Sequence, residues 1–372
     1  MTSRERLMAA FQCRQADRVP INVRGVQSLD PSWVSDRHES YRPLIDMVKA
    51  ECDLVVGYPI RDRCWLLTDG DQVRFEHKEH DAPEWVYRET IAHTPKGPLS
   101  YTEQVSKGDH CSLTAKHWIT DDEHDLERFM SVPYIPRCPD VSDFVDFERA
   151  TGDRAVIMAG FLDPIAYVHE LLGSEKLAMW SLDRWGDVDM LIELFTQRLL
   201  DRIAGLLDGG MKCTFAFVGA EYCGPPLMSP RDFRVWVTEP MKRLTRLIHD
   251  SGCLAHVHSH GPLDVVLEQF EEMGADILHP IEAPPMGDVT LAEAKRRIGR
   301  NVCLEGNIQV GDLYTLRKDE IRDVVKRVID DASAGGGFVL CPTASPYTPV
   351  LPDIALRNYV AMIETALEYG RY

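Results

Sequence analysis

The stretch Lys318-Asp-Glu-Ile321-Arg-Asp-Val324-Val325-Lys-Arg-Val328-Ile-Asp-Asp-Ala-Ser-Ala-Gly335-Gly-Gly-Phe338-Val-Leu-Cys-Pro-Thr343 reads as a helix followed by a strand. Ile321, Val324, Val325 and Val328 fall on one face, at the spacing of a helix packed against a sheet. The pattern breaks at Gly335, and a short apolar run begins at Phe338. The three glycines stand after a helix and before a strand, which is the order of a helix C-terminus. A phosphate cradle needs them after a strand and before a helix.

The same unit recurs on both sides of this stretch. Apolar runs at 213–220, 254–260, 276–282, 302–308 and 338–343 alternate with amphipathic segments, as repeated βα units do. Ser229 followed by Pro230 opens one of the intervening helices, which stops at Gly252, and Thr290-Leu-Ala-Glu293 has the form of a capping box. Earlier strands at 19–23, 54–58 and 154–161 bring the total to eight, so the expected fold is α/β, a (β/α)8 TIM-type barrel forming one domain over 1–372. Residues 72–118 break the rhythm. Trp85-Val-Tyr-Arg-Glu-Thr-Ile, the Pro95-Lys-Gly-Pro98 turn and the run at 113–119 predict an inserted antiparallel β-hairpin region.

Composition narrows the function. With 44% hydrophobic and 27% charged residues among 372, the chain is neither disordered, collagenous nor a coiled coil. The net charge of -18 and the lack of a basic cluster interleaved with aromatics argue against nucleic acid and against an anionic membrane surface as partners. Charges at Arg4, Glu5 and Arg6 leave no room for an export signal, and the charge-free stretch at 332–352 is broken by glycines and prolines, so no span crosses a membrane and a cytoplasmic location is expected. Ten cysteines without a CxxC pair read as reduced thiols, not as a disulfide framework or zinc ribbon. GxGxxG, Walker and GxSxG motifs are absent, which leaves nucleotide, nicotinamide and serine-hydrolase chemistry without an anchor.

The chemistry concentrates in Leu254-Ala-His256-Val-His258-Ser-His260-Gly261, where strand alternation puts three imidazoles on one face. His258 and His260, nearest the C-terminal end of the strand, are expected to point into a site at the mouth of the barrel, with His256 deeper and structural. Two such imidazoles can ligate a zinc ion if a neighbouring strand supplies a third donor, here Glu221, or alternatively Cys341; a metal-free acid/base pair remains the other reading. Glu221, Glu282, Glu305 and Cys341 all sit where neighbouring strands end, and charges there must reach a ligand, a metal or one another. Glu305 and Glu221 are the expected catalytic carboxylates. Arg24, Phe161, Asp163, Tyr222, Glu282, Asn307 and Tyr347 are the expected substrate-binding residues, against capping, ion pairing or core packing as the plain alternatives.

At these residues the chain resembles the uroporphyrinogen decarboxylase superfamily, which includes cobalamin-dependent methyltransferases. Thr2-Ser-Arg-Glu-Arg, Asp17-Arg-Val-Pro20, Thr94-Pro-Lys-Gly-Pro98, residues 122–129, Leu227-Met-Ser-Pro230, His258-Ser-His-Gly261, Gly306-Asn-Ile308 and Gly335-Gly-Gly-Phe338 follow the family's landmarks in order. Where true decarboxylases carry Met-Arg-Gln-Ala-Gly-Arg for the porphyrinogen carboxylates, this chain has Asn22-Val-Arg-Gly-Val-Gln27, which argues against that substrate. Methyltransferase members bind zinc through a His-x-Cys pair and a later Cys. His258 matches the first, His260 replaces the second and Ala344 falls where the third belongs, so the resemblance implies a harder nitrogen and oxygen set. The implied activity is a zinc-dependent methyltransferase or demethylase of an O-methyl or N-methyl small molecule, with a corrinoid protein as methyl partner and a homodimeric state. The alternatives are a decarboxylase or lyase of a small carboxylate held by Arg24, and a non-catalytic binding barrel.

Overall fold

The computed structural model describes residues 1–61, 64–108 and 111–372. Its core is a curled parallel sheet of seven strands: β1 (Leu54–Gly57), β2 (Ala155–Leu162), β3 (Thr214–Val218), β4 (Leu254–Ser259), β5 (Ile277–Pro280), β6 (Cys303–Ile308) and β7 (Phe338–Pro342). They lie side by side in chain order. Each starts within about two residues of its expected position, because a parallel strand buried on both faces is a near-continuous apolar run and is readable as such.

The eighth expected strand does not form. Residues 19–23 contribute one parallel bridge, Ile21 to Leu340, flanked by Asn22 N–H donating to Leu340 O at 2.9 Å and Leu340 N–H donating to Pro20 O at 2.9 Å. On the other side Asp53 N–H donates to Ile21 O at 2.7 Å. Pro20 has no N–H to offer, and the N–H of Ile21 goes to the Asp53 carboxylate at 2.9 Å. With those donors missing or spent, both edges of the sheet bond to the same short segment, and no ladder forms between them. Asp53 is itself gripped by Arg6 at 2.6 Å and Arg18 at 2.7 Å.

The insert is antiparallel as expected. Arg74–Asp81, Trp85–Thr94, Gly97–Ser106 and Ser112–Lys116 form a four-stranded sheet, with Trp85 opposite Ser106; residues 109 and 110 of the expected hairpin region lie outside the described residues. A further two-stranded ribbon joins Cys64–Trp65 to Thr68–Asp69. The insert seats on the core through Trp65, whose ring meets Trp118 edge-on at 5.4 Å and Phe129 at 6.0 Å.

The helix over Lys318–Ala332 buries Ile321, Val325 and Val328. After it Gly335, Gly336 and Gly337 all adopt left-handed backbone, with φ of 78°, 81° and 65°. A Cβ on Gly336 would stand 2.4 Å from the backbone carbon of Arg14, so this turn packs against the N-terminal segment and has no space for a phosphate. The helix after Ser229 starts where expected, with Ser229 Oγ accepting from Asp232 N–H at 3.1 Å. It is not continuous: Pro230–Phe233 passes through a wider π turn at Arg234–Thr238 into Glu239–Asp250. Pro240, which cannot donate to the preceding turn, accounts for the wide spacing. No helix among the described residues is long and apolar enough to cross a membrane.

Candidate functional site

β4 is paired on both sides. His256 is in register with Ala216 and Ile277, and His258 with Val218 and His279. Both imidazoles are buried, whereas the His260 side chain, one residue past the strand, is 38% exposed.

Glu305 lies across from His256. One carboxylate oxygen is 2.8 Å from His256 Nε2, and the other accepts from Asn22 Nδ2 at 2.7 Å. Glu305 is only 1% exposed. Burial on its own would raise its pKa, but the hydrogen bond from His256 and the nearby charge of Arg24 override it and hold the carboxyl well below the usual carboxylate range. A carboxylate accepts only, so His256 Nε2 carries the proton in this bond. The remaining nitrogen of His256, Nδ1, is buried without a partner. Glu305, expected to transfer protons, is held between His256 and Asn22.

A second chain runs through His258. Its Nδ1 lies 2.8 Å from Nδ1 of His279, and His279 Nε2 lies 3.1 Å from the carbonyl oxygen of Pro342. The two rings stack at 4.9 Å. Burial pushes both imidazoles well below their ordinary range, with Arg24 adding to the effect. The His260 ring meets that of His258 edge-on at 4.6 Å and has its Nδ1 3.2 Å from Glu282, which also accepts from the backbone N–H of Gly261 at 3.0 Å. Burial raises the Glu282 pKa, but these two bonds outweigh it and leave the carboxyl below its ordinary value.

His256, His258 and Arg24 line one cavity of about 550 Å³, whose walls are otherwise mainly apolar and include Leu66, Leu67, Phe161 and Phe217. The Arg24 guanidinium has no hydrogen bond or ion pair among the described residues, and neither has Nε2 of His258. An unpaired guanidinium on an apolar wall is a place for an anion.

The other expected residues are distributed differently. Glu221 sits in the turn Ala220–Cys223, with one oxygen buried and unpartnered and its pKa raised by burial. Asp163 is the N-cap of the helix Pro164–Asp183: it accepts from Ala166 N–H at 3.0 Å, is 1% exposed, and its pKa is raised by burial and by Glu221. Gly219, with φ of 130°, permits this packing, since a Cβ there would lie 2.8 Å from the Asp163 carboxylate. Tyr222 stacks on His169 at 3.6 Å, Asn307 donates to Ile281 O at 3.0 Å, and Tyr347 stacks on Tyr314 at 4.4 Å. Cys341 is fully buried, its thiol donating to Pro342 O at 3.3 Å and its pKa raised by burial beside Glu305. Of the expected set, the cavity gathers Arg24, Phe161 and His258. Sequence reasoning missed His279 and Asn22, and gave His256 a merely structural place; the alternation of Asn22 with Arg24 and the position of His279 at a strand end were the available signals.

No three His, Cys, Asp or Glu side chains among the described residues form a group that could hold a metal ion. His258 turns Nδ1 to His279, His260 turns Nδ1 to Glu282, and Cys341 faces Pro342. Of the donors expected for zinc, the His258 and His260 rings lie 4.6 Å apart and His260 is paired with Glu282, and no step below runs through a metal.

Comparison with known proteins places this chain in a lineage. Across 360 residues, 91% of this chain and 92% of the relative, the sequence is 26% identical to a uroporphyrinogen decarboxylase of Nostoc punctiforme (strain ATCC 29133 / PCC 73102). A methyltransferase from Methanosarcina mazei shares the fold over 99% of both chains, with a TM-score of 0.64 and 16% identity. The model of the family described as uroporphyrinogen decarboxylase (URO-D) matches residues 110–369, a span that includes β2 to β7 and every histidine of the cavity. The chain therefore belongs to the uroporphyrinogen decarboxylase family.

Proposed function

We propose that this chain is an enzyme that cleaves or transfers a methyl group on an oxygen or nitrogen of a small anionic molecule bound in the His258 cavity, with a corrinoid carried by a partner protein as the other methyl carrier. The observation that carries the reading is the pairing, on one apolar wall, of an unengaged arginine with an unengaged imidazole nitrogen. The fold shared with a methyltransferase supports it. Arg24 holds the anionic group, and the apolar wall keeps water from the reacting atoms. In the methylating direction the substrate O–H or N–H heteroatom forms its bond to the methyl carbon as that carbon leaves its carrier, and the released proton passes to Nε2 of His258. Demethylation runs the same exchange in reverse, with Nε2 of His258, unprotonated at rest, taking a proton from water as charge develops on the leaving heteroatom and passing it on. Glu305 acts behind His256 as a positioning residue. Leu227, Val265 and Met286 are exposed, each in a stretch that follows a strand of the mouth, and offer the partner an apolar rim.

A second reading, decarboxylation of a small carboxylate held by Arg24, is favoured by the same free guanidinium and by the curated decarboxylase relative. The two separate in one assay. Purified protein is offered methoxylated aromatics, methylated amines and small carboxylates, with a reduced corrinoid acceptor present, and both methyl transfer and carbon dioxide are followed. Methyl transfer supports the first reading, and carbon dioxide without methyl transfer supports the second.

A further inference from the structure

We propose that the cavity selects a flat anionic ligand that donates a hydrogen bond from a hydroxyl to Nε2 of His258, that is, a hydroxylated aryl carboxylate. The proposal rests on the reading of this cavity as the substrate site and names the substrate class.

The carbonyl oxygen of Pro342 can only accept, so the His279 nitrogen 3.1 Å from it, Nε2, must carry hydrogen. His279 is 0% exposed and its two hydrogen-bond partners are an imidazole and a backbone carbonyl, so with no carboxylate bonded to it the ring is neutral, which leaves Nδ1 with a lone pair. His258 Nδ1, 2.8 Å from that lone pair, must be the donor. A neutral His258 then has its second lone pair on Nε2, and this nitrogen has no partner among the described residues. The side chain lines the cavity, so the tautomer set at Pro342 makes His258 an acceptor there and not a donor.

An acceptor of fixed tautomer discriminates. A hydroxyl satisfies it, whereas an ether oxygen or a ring C–H leaves it unpaired after desolvation, and sites built to pair with a hydroxyl reject analogues that lack one. Arg24 supplies the requirement for an anion, and its charge reaches both His258 and His279. Phe161 and Phe217, with ring centroids 5.7 Å apart and planes 30° from parallel, give the apolar wall on which a flat ring can lie.

The test is binding to the wild-type protein, by calorimetry at neutral pH, of 4-hydroxybenzoate, 4-methoxybenzoate, benzoate and phenol. 4-Hydroxybenzoate should bind about tenfold more tightly than each of the others, since each lacks either the donor or the anion. Arg24→Gln should reduce 4-hydroxybenzoate to the affinity of phenol. Nitrogen NMR of the wild-type imidazoles should find hydrogen on Nδ1 of His258 and on Nε2 of His279. A preference for 4-hydroxybenzoate over 4-methoxybenzoate of less than about fivefold overturns the proposal, as does hydrogen on Nε2 of His258 or the failure of all four ligands to bind. None of these readouts requires methyl transfer, so the substrate class and the reaction can fail separately.

Discussion

Nδ1 of His258 and Nδ1 of His279 lie 2.8 Å apart on adjacent parallel strands, and the second ring is tied to the carbonyl of Pro342 on β7. One residue of the cavity wall is thereby oriented by two other strands of the sheet. The arrangement fixes the orientation of the His258 ring.

Replacing His279 with leucine removes the acceptor for His258 and leaves the Pro342 carbonyl with only the Cys341 thiol as a donor. Stability should fall by about 1–3 kcal/mol in urea unfolding. In the surviving folded protein, kcat should fall about tenfold or more while KM changes less, because the effect is on the orientation of His258. Equal losses in both parameters would place His279 in substrate binding instead.

Stability should depend on pH through the same pair. His258 and His279 have folded-state pKa values below that of an ordinary imidazole, so the unfolded chain binds protons that the folded chain cannot. The contribution is complete above about pH 6.5 and is lost as the pH falls below that value, at up to about 1.4 kcal/mol per pH unit for each ring. Denaturant midpoints at pH 7.5, 6.5 and 5.5 should therefore fall in that order. A midpoint that holds steady or rises toward pH 5.5 would mean that the two rings are protonated in the fold.

Asp163 offers a cleaner contrast. As the cap of the helix Pro164–Asp183 it should lose about 1 kcal/mol on conversion to alanine. Conversion to asparagine keeps the acceptor for Ala166 N–H and removes a buried carboxyl set against Glu221, so that variant should match or exceed the wild type in thermal stability. Loss of turnover in the asparagine variant with stability intact would give Asp163 a role in the chemistry.

Arg24→Gln should raise KM about tenfold or more for any anionic substrate, with a smaller change in kcat, since the side chain binds a group that does not react. Steady-state kinetics on whichever compound the screen identifies would check this. A change confined to kcat would assign Arg24 to the reaction itself.

The strands β1 to β7 were legible because buried parallel strands are mostly apolar and are separated by amphipathic helices. The eighth was not, since the fate of the Ile21 N–H depends on Asp53, thirty-two positions away. At the site, His256, His258 and Arg24 stood out by alternation and by charge at strand ends. Their division of labour did not, because it follows from cross-strand partners: Glu305 and Asn22 for His256, and His279 for His258. The capping role of Asp163 was hidden for the same reason. A carboxylate after a strand can cap the next helix or face the mouth, and only the packing at Gly219 decides between them.

The most direct test of the account is methyl transfer by the purified protein to reduced cobalamin, followed by the absorbance change of the corrinoid, with mass analysis of the substrate and a parallel carbon dioxide assay. The account expects a methylated corrinoid and a demethylated product with at least one anionic O-methyl or N-methyl compound, and a rate at least about a hundredfold lower in His258→Ala. Carbon dioxide released from a carboxylate with no methyl moved from any compound in the panel, or methyl transfer undiminished in His258→Ala, would contradict it.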